Sequence, residues 1–176
     1  DRPGASTRSW GLLVGLTLST HVLIDCLTSY GTQIFYPFSD YPVILGTIFV
    51  IDPLYTVPLS LGLIVALFYP PGSRPRRLAN YVGLGLSSVY LLLTMVNKRH
   101  VNDVFAQALD RQGHAVERIF TKPMPLNNLF WSAIAEDSTG FWIGYYSLLD
   151  QSDRVDFHRV PKNHDALGDA HDTKAM

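Results

Sequence analysis

A charge-poor block near the start of the chain restricts the folds that are open to it. Residues 10–96 contain only six charged side chains, which are Asp25, Asp40, Asp52, Arg74, Arg76 and Arg77. The whole chain has 16% charged residues, whereas soluble domains have about 25%. Charge becomes ordinary after residue 97. The sequence therefore predicts an apolar, membrane-embedded N-terminal part and a water-facing C-terminal part.

Three apolar runs in this block predict membrane helices. Residues 10–27, 54–69 and 81–96 form runs of 16 to 18 residues, at the lower edge of the roughly 17–25 that a spanning helix needs. Buried helices of a soluble domain are the alternative, but three such runs in one block favour the membrane. Residues 43–51 are too short to span, and we expect them to join residues 54–69 as one broken helix. Small residues lie near the start of the third run and let membrane helices approach closely. Gly83, Ser87 and Tyr90 recur there at helical spacing, which predicts a face that packs on protein.

The charge distribution also indicates location and partners. A short basic loop at Arg74, Arg76 and Arg77 predicts a cytoplasmic connection, and the chain reads as a multi-pass protein of the cell (inner) membrane. Membrane lipid is the expected partner. Nucleic acid is not, because the net charge is −1 and no long basic run exists.

The single cysteine, Cys26, excludes a disulfide within the chain and is read as a packing residue. The pattern does not define an oligomeric state.

The C-terminal part predicts a small mixed domain. Residues 97–114 read as an amphipathic helix that leaves the membrane and stops at Gly113, and its apolar stripe consists of Val101, Val104, Phe105, Ala108 and Leu109. Residues 129–135 and 140–148 predict an antiparallel hairpin, with further strands in 115–121 and 154–160. The expected fold is mainly α, with about three membrane helices followed by a small α+β C-terminal domain. The predicted parts are residues 1–97, residues 98–160 and a disordered tail, 161–176.

Two titratable residues in the first apolar run are candidates for chemistry. His21 and Asp25 are four residues apart on the predicted helix, so they share one face. An imidazole nitrogen and a carboxylate oxygen can bind one hard or borderline cation, and ionisable groups inside an apolar segment are usually functional. A His–Asp hydrogen bond that merely orients the helix is the alternative.

Other candidates are less specific. Asp52 lies between two apolar runs and is a possible third metal ligand, although an aspartate before Pro53 is also a common helix start. Thr28, Ser29 and Tyr30 follow the first helix directly, and their hydroxyl groups could bind substrate or simply lie at the membrane interface.

Longer motifs carry a resemblance to a known family. These motifs are residues 21–39 (HVLIDCLTSYGTQIFYPFS), 48–56 (IFVIDPLYT), 122–131 (KPMPLNNLFW) and 144–147 (GYYS). The joint pattern resembles the membrane-bound metal-dependent hydrolases of the YdjM/DUF457 type, and the resemblance covers residues 10–160. The resemblance implies a multi-helix bacterial membrane protein in which His21 and Asp25 form the His-x3-Asp motif. Asp52 matches the aspartate of a second motif.

The resemblance also sets the expected activity. It implies a metal-dependent hydrolase with His21 and Asp25 in its catalytic site. Our leading hypothesis is that these two residues, with Asp52, hold a divalent metal that activates water against an ester or phosphoester. The membrane location, taken alone, favours a lipid-like substrate. Zinc is favoured, with manganese or magnesium as alternatives. The family carries Pro-Asp-x-Asp and Arg-Gly-x-Thr-His-Ser elements upstream that have no match before His21, so we expect an N-terminally truncated chain. A non-catalytic membrane scaffold and an ion or proton pathway remain as other interpretations.

Overall fold

The computed structural model describes residue 4 and residues 6–162, and it confirms the predicted order of helices followed by strands. Three helices come first, and a four-stranded antiparallel sheet with the order β1-β2-β3-β4 follows. The elements are α1 (Thr7–Leu27), α2 (Pro53–Leu67), α3 (Arg74–Arg111), β1 (Arg118–Pro123), β2 (Phe130–Glu136), β3 (Gly140–Ser147) and β4 (Phe157–Pro161). Residues 163–176 of the predicted disordered tail lie outside the described residues, and Pro161 belongs to β4.

The chain divides into two compact units, which are treated separately below. The helical unit contains Asp1–Lys98 and Lys122–Asn128, and the sheet unit contains Arg99–Thr121 and Leu129–Met176. The division near residue 98 falls inside α3. Lys122–Asn128, which the sequence assigned to the C-terminal part, clusters with the helical unit instead.

Two of the helices are long and apolar enough to cross a membrane. These are α1, with 21 residues, and α3, with 38, whereas α2 has only 15. The apolar windows of α1 and α3 are only 11% and 17% buried within the protein. A core helix of a soluble domain would bury its apolar side chains, so these exposed faces indicate contact with lipid.

The segment before α2 differs from the prediction. Residues 43–51 are not helical, so the expected broken helix over 43–69 is wrong in its first third. Instead, the backbone N–H groups of Leu45, Thr47 and Ile48 donate to carbonyls at the C-terminal end of α1. A helix end leaves its last carbonyls without partners, and in an apolar environment those groups must be satisfied by protein. This segment meets that requirement as an irregular loop, in which Gly46 has a φ of 58°.

Close packing joins α2 to α3 and confirms the predicted protein-facing side of α3. A Cβ atom placed on Gly83 would lie 2.7 Å from the carbonyl oxygen of Pro58, and one on Gly62 would lie 2.8 Å from that of Ala79. Next along this face, the Ser87 hydroxyl donates to the carbonyl of Tyr55 at 2.8 Å. Glycines at such positions let two helix backbones approach closely.

The third helix is longer than the sequence predicted. We expected separate helices over 81–96 and 97–114, but α3 begins at Arg74 and continues without interruption to Arg111. The predicted basic loop at Arg74, Arg76 and Arg77 is therefore wrong, because these residues form the first turn of the helix. No glycine or proline occurs between Gly85 and Gly113, so nothing in the sequence breaks the backbone between the apolar and amphipathic parts. Gly113 has a φ of 72° and follows the end of the helix, as predicted.

The sheet unit has its own core. The predicted hairpin is confirmed, with β2 and β3 paired from Phe130↔Ser147 to Glu136↔Phe141. The predicted apolar stripe of α3 is also buried. Its core comprises Val101, Val104, Phe105, Ala108, Trp131, Ala133, Tyr146 and Val155. Trp131 is 0% exposed.

The turn of this hairpin is organised by one carboxylate. Oδ1 of Asp137 accepts hydrogen bonds from the Thr139 N–H at 2.6 Å and the Thr139 hydroxyl at 2.8 Å. Oδ2 accepts from the Trp142 indole N–H at 2.8 Å. Hydrogen bonds to the ionised form, those from Thr139 first, hold the pKa of Asp137 well below its usual range.

We expect the sheet unit to lose stability in acid because of Asp137. A carboxyl group with a depressed folded-state pKa contributes stability above its unfolded value of about 3.9, and this stability is lost as the pH falls through the folded pKa. Thermal unfolding, followed by the near-UV circular dichroism of the tryptophans, should therefore show a lower Tm below about pH 4. Asp137→Asn should lower the Tm at pH 7 and reduce its further fall in acid, whereas Asp156→Asn at an exposed site should do neither. An unchanged acid profile in Asp137→Asn would contradict this assignment.

Candidate functional site

The structure brings the two catalytic candidates together at the C-terminal end of α1. His21 Nε2 lies 3.5 Å from Asp25 Oδ2, and the two side chains are 73% and 45% exposed. Two ligands of one tetrahedral zinc ion, each bound at about 2.1 Å, lie roughly 3.4 Å apart. The observed separation therefore suits two donors to a shared cation, and it is too long for a strong hydrogen bond.

The helix end that carries Asp25 is firmly held. The Asp25 carbonyl accepts from both the N–H of Thr28, at 3.0 Å, and the Thr28 hydroxyl, at 2.7 Å. The Leu27 carbonyl accepts from the N–H of Thr47 at 2.8 Å. A site on a helix whose end is fixed in this way keeps its side chains in a defined position.

A pocket lies directly beside Asp25. It has a volume of about 340 Å³, and its lining consists of Asp25, Thr28, Tyr30, Gly31, Thr32 and Val50. Two of the three predicted substrate-binding residues, Thr28 and Tyr30, therefore share a pocket with a predicted metal ligand. Ser29 is not part of the lining, and its hydroxyl oxygen is buried without a hydrogen-bond partner in the described structure.

Asp52 lies apart from this pair. It is 1% exposed, and both carboxylate oxygens are already used: Oδ1 accepts from the Leu54 N–H at 3.0 Å and Oδ2 from the Tyr90 hydroxyl at 2.7 Å. Residues 4 and 6–162 contain no group of three His, Cys, Asp or Glu side chains that could hold a metal. The structure therefore places Asp52 as the N-cap of α2 and does not bring it to His21 and Asp25 as a third ligand.

Sequence reasoning missed a buried polar network that supports the site. The Asn97 amide donates to Asn128 Oδ1 at 2.8 Å, and the Asn128 amide donates to the Thr47 carbonyl at 2.7 Å. The Thr47 hydroxyl in turn reaches the Leu27 carbonyl at 3.3 Å. Asn128 lies 81 residues from Thr47 in the sequence, so local patterns contain no signal of this contact. In the sequence, Asn128 appears only as part of the motif at residues 122–131.

These features define a class of protein. Two helices are long and apolar enough to cross a membrane, and one of them ends in a His–Asp pair beside a small pocket. The chain is thus a helical membrane protein with a polar site at one helix end.

The comparison with protein families gives the particular family. The model of the YdjM inner membrane protein family matches residues 2–101, more than half of the chain, and the chain belongs to this family. This match confirms the resemblance to the YdjM family over residues 2–101 and indicates a location in the inner membrane, but it does not extend to the motifs at residues 122–131 and 144–147. Comparison with curated proteins and with solved structures found no match. The family description states a location and does not name a reaction.

Proposed function

We propose that this chain is a multi-pass membrane hydrolase in which His21 and Asp25 hold a divalent cation. The separation of 3.5 Å between Nε2 and Oδ2 carries the proposal, because it matches the spacing of two ligands on one metal ion. The exposure of the pair adds support. Ionisable groups on a membrane helix are costly when they face lipid, so they normally face a partner, a cation or a water-filled cavity.

The donors at hand fit a divalent metal in part. One imidazole nitrogen and one carboxylate oxygen suit zinc, with manganese or magnesium as alternatives. Catalytic zinc sites have about three protein ligands, so at least one more ligand must come from outside the described residues or from a second chain. When bound, such a cation supplies Lewis-acid activation of water for hydrolysis.

The pocket beside Asp25 indicates where a substrate would bind. Tyr30 is 75% exposed, so its hydroxyl is free to contact a ligand from solvent or from the membrane interface. The Thr28 hydroxyl donates to the backbone carbonyl of Asp25, and its oxygen keeps lone pairs that can accept a hydrogen bond from a ligand. An ester or phosphoester of a lipid-like molecule is the substrate class that suits a pocket with both polar and apolar lining on a membrane helix.

Metal content of the purified protein tests this proposal. Elemental analysis of the full-length protein in detergent should give about one equivalent of divalent metal. His21→Ala and Asp25→Ala should each lose most of it. Asp40→Ala, which removes an exposed carboxylate of the neighbouring loop, is the matched control and should keep the wild-type value.

A second candidate function is a non-catalytic membrane scaffold with a structural His–Asp pair. The absence of a third metal-ligating side chain near the pair, within the part of the chain that the structure describes, favours it. A scaffold should purify without metal. Its Tm should nevertheless fall in His21→Ala and Asp25→Ala, because the pair would then act only in helix contacts. That combination of results would refute the hydrolase proposal.

A further inference from the structure

A second cavity in the helical unit has a different chemistry. It is a groove of about 530 Å³ between α2 and α3, within the roughly 300–1,000 Å³ of small-molecule sites. Apolar side chains dominate its lining, which includes Leu61, Val65, Tyr69, Leu78, Val82 and Leu86. It shares no lining residue with the pocket beside Asp25.

The close helix contact creates this groove. Gly62 and Gly83 both line it, and neither has a side chain that could fill it. The rim remains apolar and accessible, since Leu61, Val82 and Leu86 are 54%, 49% and 56% exposed. In a membrane such a rim faces acyl chains, so a hydrocarbon chain can enter from the side.

Positive charge is concentrated at one end of the groove. Pro75 and Leu78 line that end, and they alternate in the sequence with Arg74, Arg76 and Arg77. Arg76 donates to the carbonyl of Tyr69, which also lines the groove, at 3.2 Å.

No carboxylate of the described residues forms an ion pair with Arg74 or Arg77. The sequence has no acidic residue between Asp52 and Asp103. Both arginines are exposed. From Arg77 to Asn97, α3 rises by about 30 Å, the thickness of the hydrocarbon core, which places the arginines at the level of the lipid head groups. An uncompensated basic cluster beside an apolar groove complements a ligand with one anionic group and one hydrocarbon chain.

We propose that the groove binds an acyl chain of an anionic phospholipid, with its phosphate held by Arg74 and Arg77. This is an interaction site separate from the proposed hydrolytic centre, and it does not depend on that activity. Arginine suits this role, because its planar guanidinium group can form two parallel hydrogen bonds with a phosphate.

Lipid titrations of the full chain in a nonionic detergent test the proposal. Native mass spectrometry would measure binding of phosphatidylglycerol and of phosphatidylcholine with identical acyl chains. Wild type should bind phosphatidylglycerol at least about tenfold more tightly. Arg74→Gln/Arg77→Gln should abolish this preference. Arg118→Gln/Arg154→Gln removes the same charge from the sheet unit and should retain the preference.

The acyl-chain contact is tested on its own. Val82→Trp should fill the groove and weaken binding of both lipids, whereas Val89→Trp, at an exposed α3 position outside the groove, should not. On wild type alone, affinity should fall as the acyl chains of phosphatidylglycerol are shortened. Equal binding of the two lipids by wild type would overturn the proposal. The proposal would also be overturned if glycerol phosphate displaced bound phosphatidylglycerol as effectively as the full lipid does, because the protein would then recognise only the head group.

Discussion

Asp52→Ala is expected to destabilise the helical unit by about 2–5 kcal/mol and to leave the metal content of the protein unchanged. The substitution removes the N-cap of α2, which is worth about 0.5–2 kcal/mol. It also removes the acceptor of the Tyr90 hydroxyl at 2.7 Å, and a hydrogen bond to a charged group contributes about 1.5–3 kcal/mol. Thermal unfolding in detergent, followed by far-UV circular dichroism, would measure the loss.

Two further variants separate capping from metal binding. Asp52→Asn keeps an oxygen that can accept from the Leu54 N–H, so it should retain most of the stability. Tyr90→Phe leaves one Asp52 oxygen without its donor and should be destabilised, again with normal metal content. If Asp52→Ala instead loses the metal and keeps the wild-type Tm, Asp52 is a ligand, and the capping role assigned here is wrong.

Most of the architecture could be predicted from the sequence because it follows local rules. The apolar runs that became α1 and α2 are bounded by proline, glycine and capping residues, and the hairpin of β2 and β3 has strand-forming residues on either side of a polar turn. The unbroken length of α3 was missed because a change from apolar to amphipathic composition was read as a helix boundary. The residue composition of a helix changes where its surroundings change from lipid to water, but this change does not end the helix. A helix ends where glycine or proline interrupts the backbone, and neither occurs between Gly85 and Gly113.

The candidate site was only partly predictable for the same reason. The helical spacing of His21 and Asp25 was enough to bring them to 3.5 Å. The partner of Asp52, in contrast, is Tyr90, which lies 38 residues away on another helix. An aspartate before a proline fits both a cap and a ligand, and only this long-range contact separates the two roles.

The exposure of the His–Asp pair bears on both functional interpretations. Cys26 and Leu27, directly after Asp25, are buried at 5% and 8% exposure, so the end of α1 packs well on one side. On the other face of α1, the side chains of His21 and Asp25 are 73% and 45% exposed. In a membrane this face must contact a cation or further protein, because exposing an imidazole and a carboxylate to lipid hydrocarbon is energetically unfavourable. Metal analysis distinguishes between these two possibilities.

Asn128→Ala is expected to destabilise the helical unit by about 2–6 kcal/mol and to weaken metal binding indirectly. Asn128 is 2% exposed and uses both ends of its amide, accepting from Asn97 and donating to the Thr47 carbonyl. Truncation leaves the buried Thr47 carbonyl and the half-buried Asn97 amide without these bonds, at about 1–3 kcal/mol each. Since Thr47 donates to the Leu27 carbonyl, loosening it also loosens the helix end that carries Asp25.

The Tm in detergent and the metal affinity would be measured together for this variant. Asn80→Ala, at an exposed position of α3, is the matched control and should change stability by less than about 0.5 kcal/mol. Asn97→Ala should also be destabilising, and the double variant with Asn128→Ala should lose less than the sum of the two, because the first substitution already breaks their shared bond. Strict additivity would show that the Asn97–Asn128 contact contributes nothing. A lower Tm with unchanged metal affinity would mean that the network stabilises the fold without positioning the site.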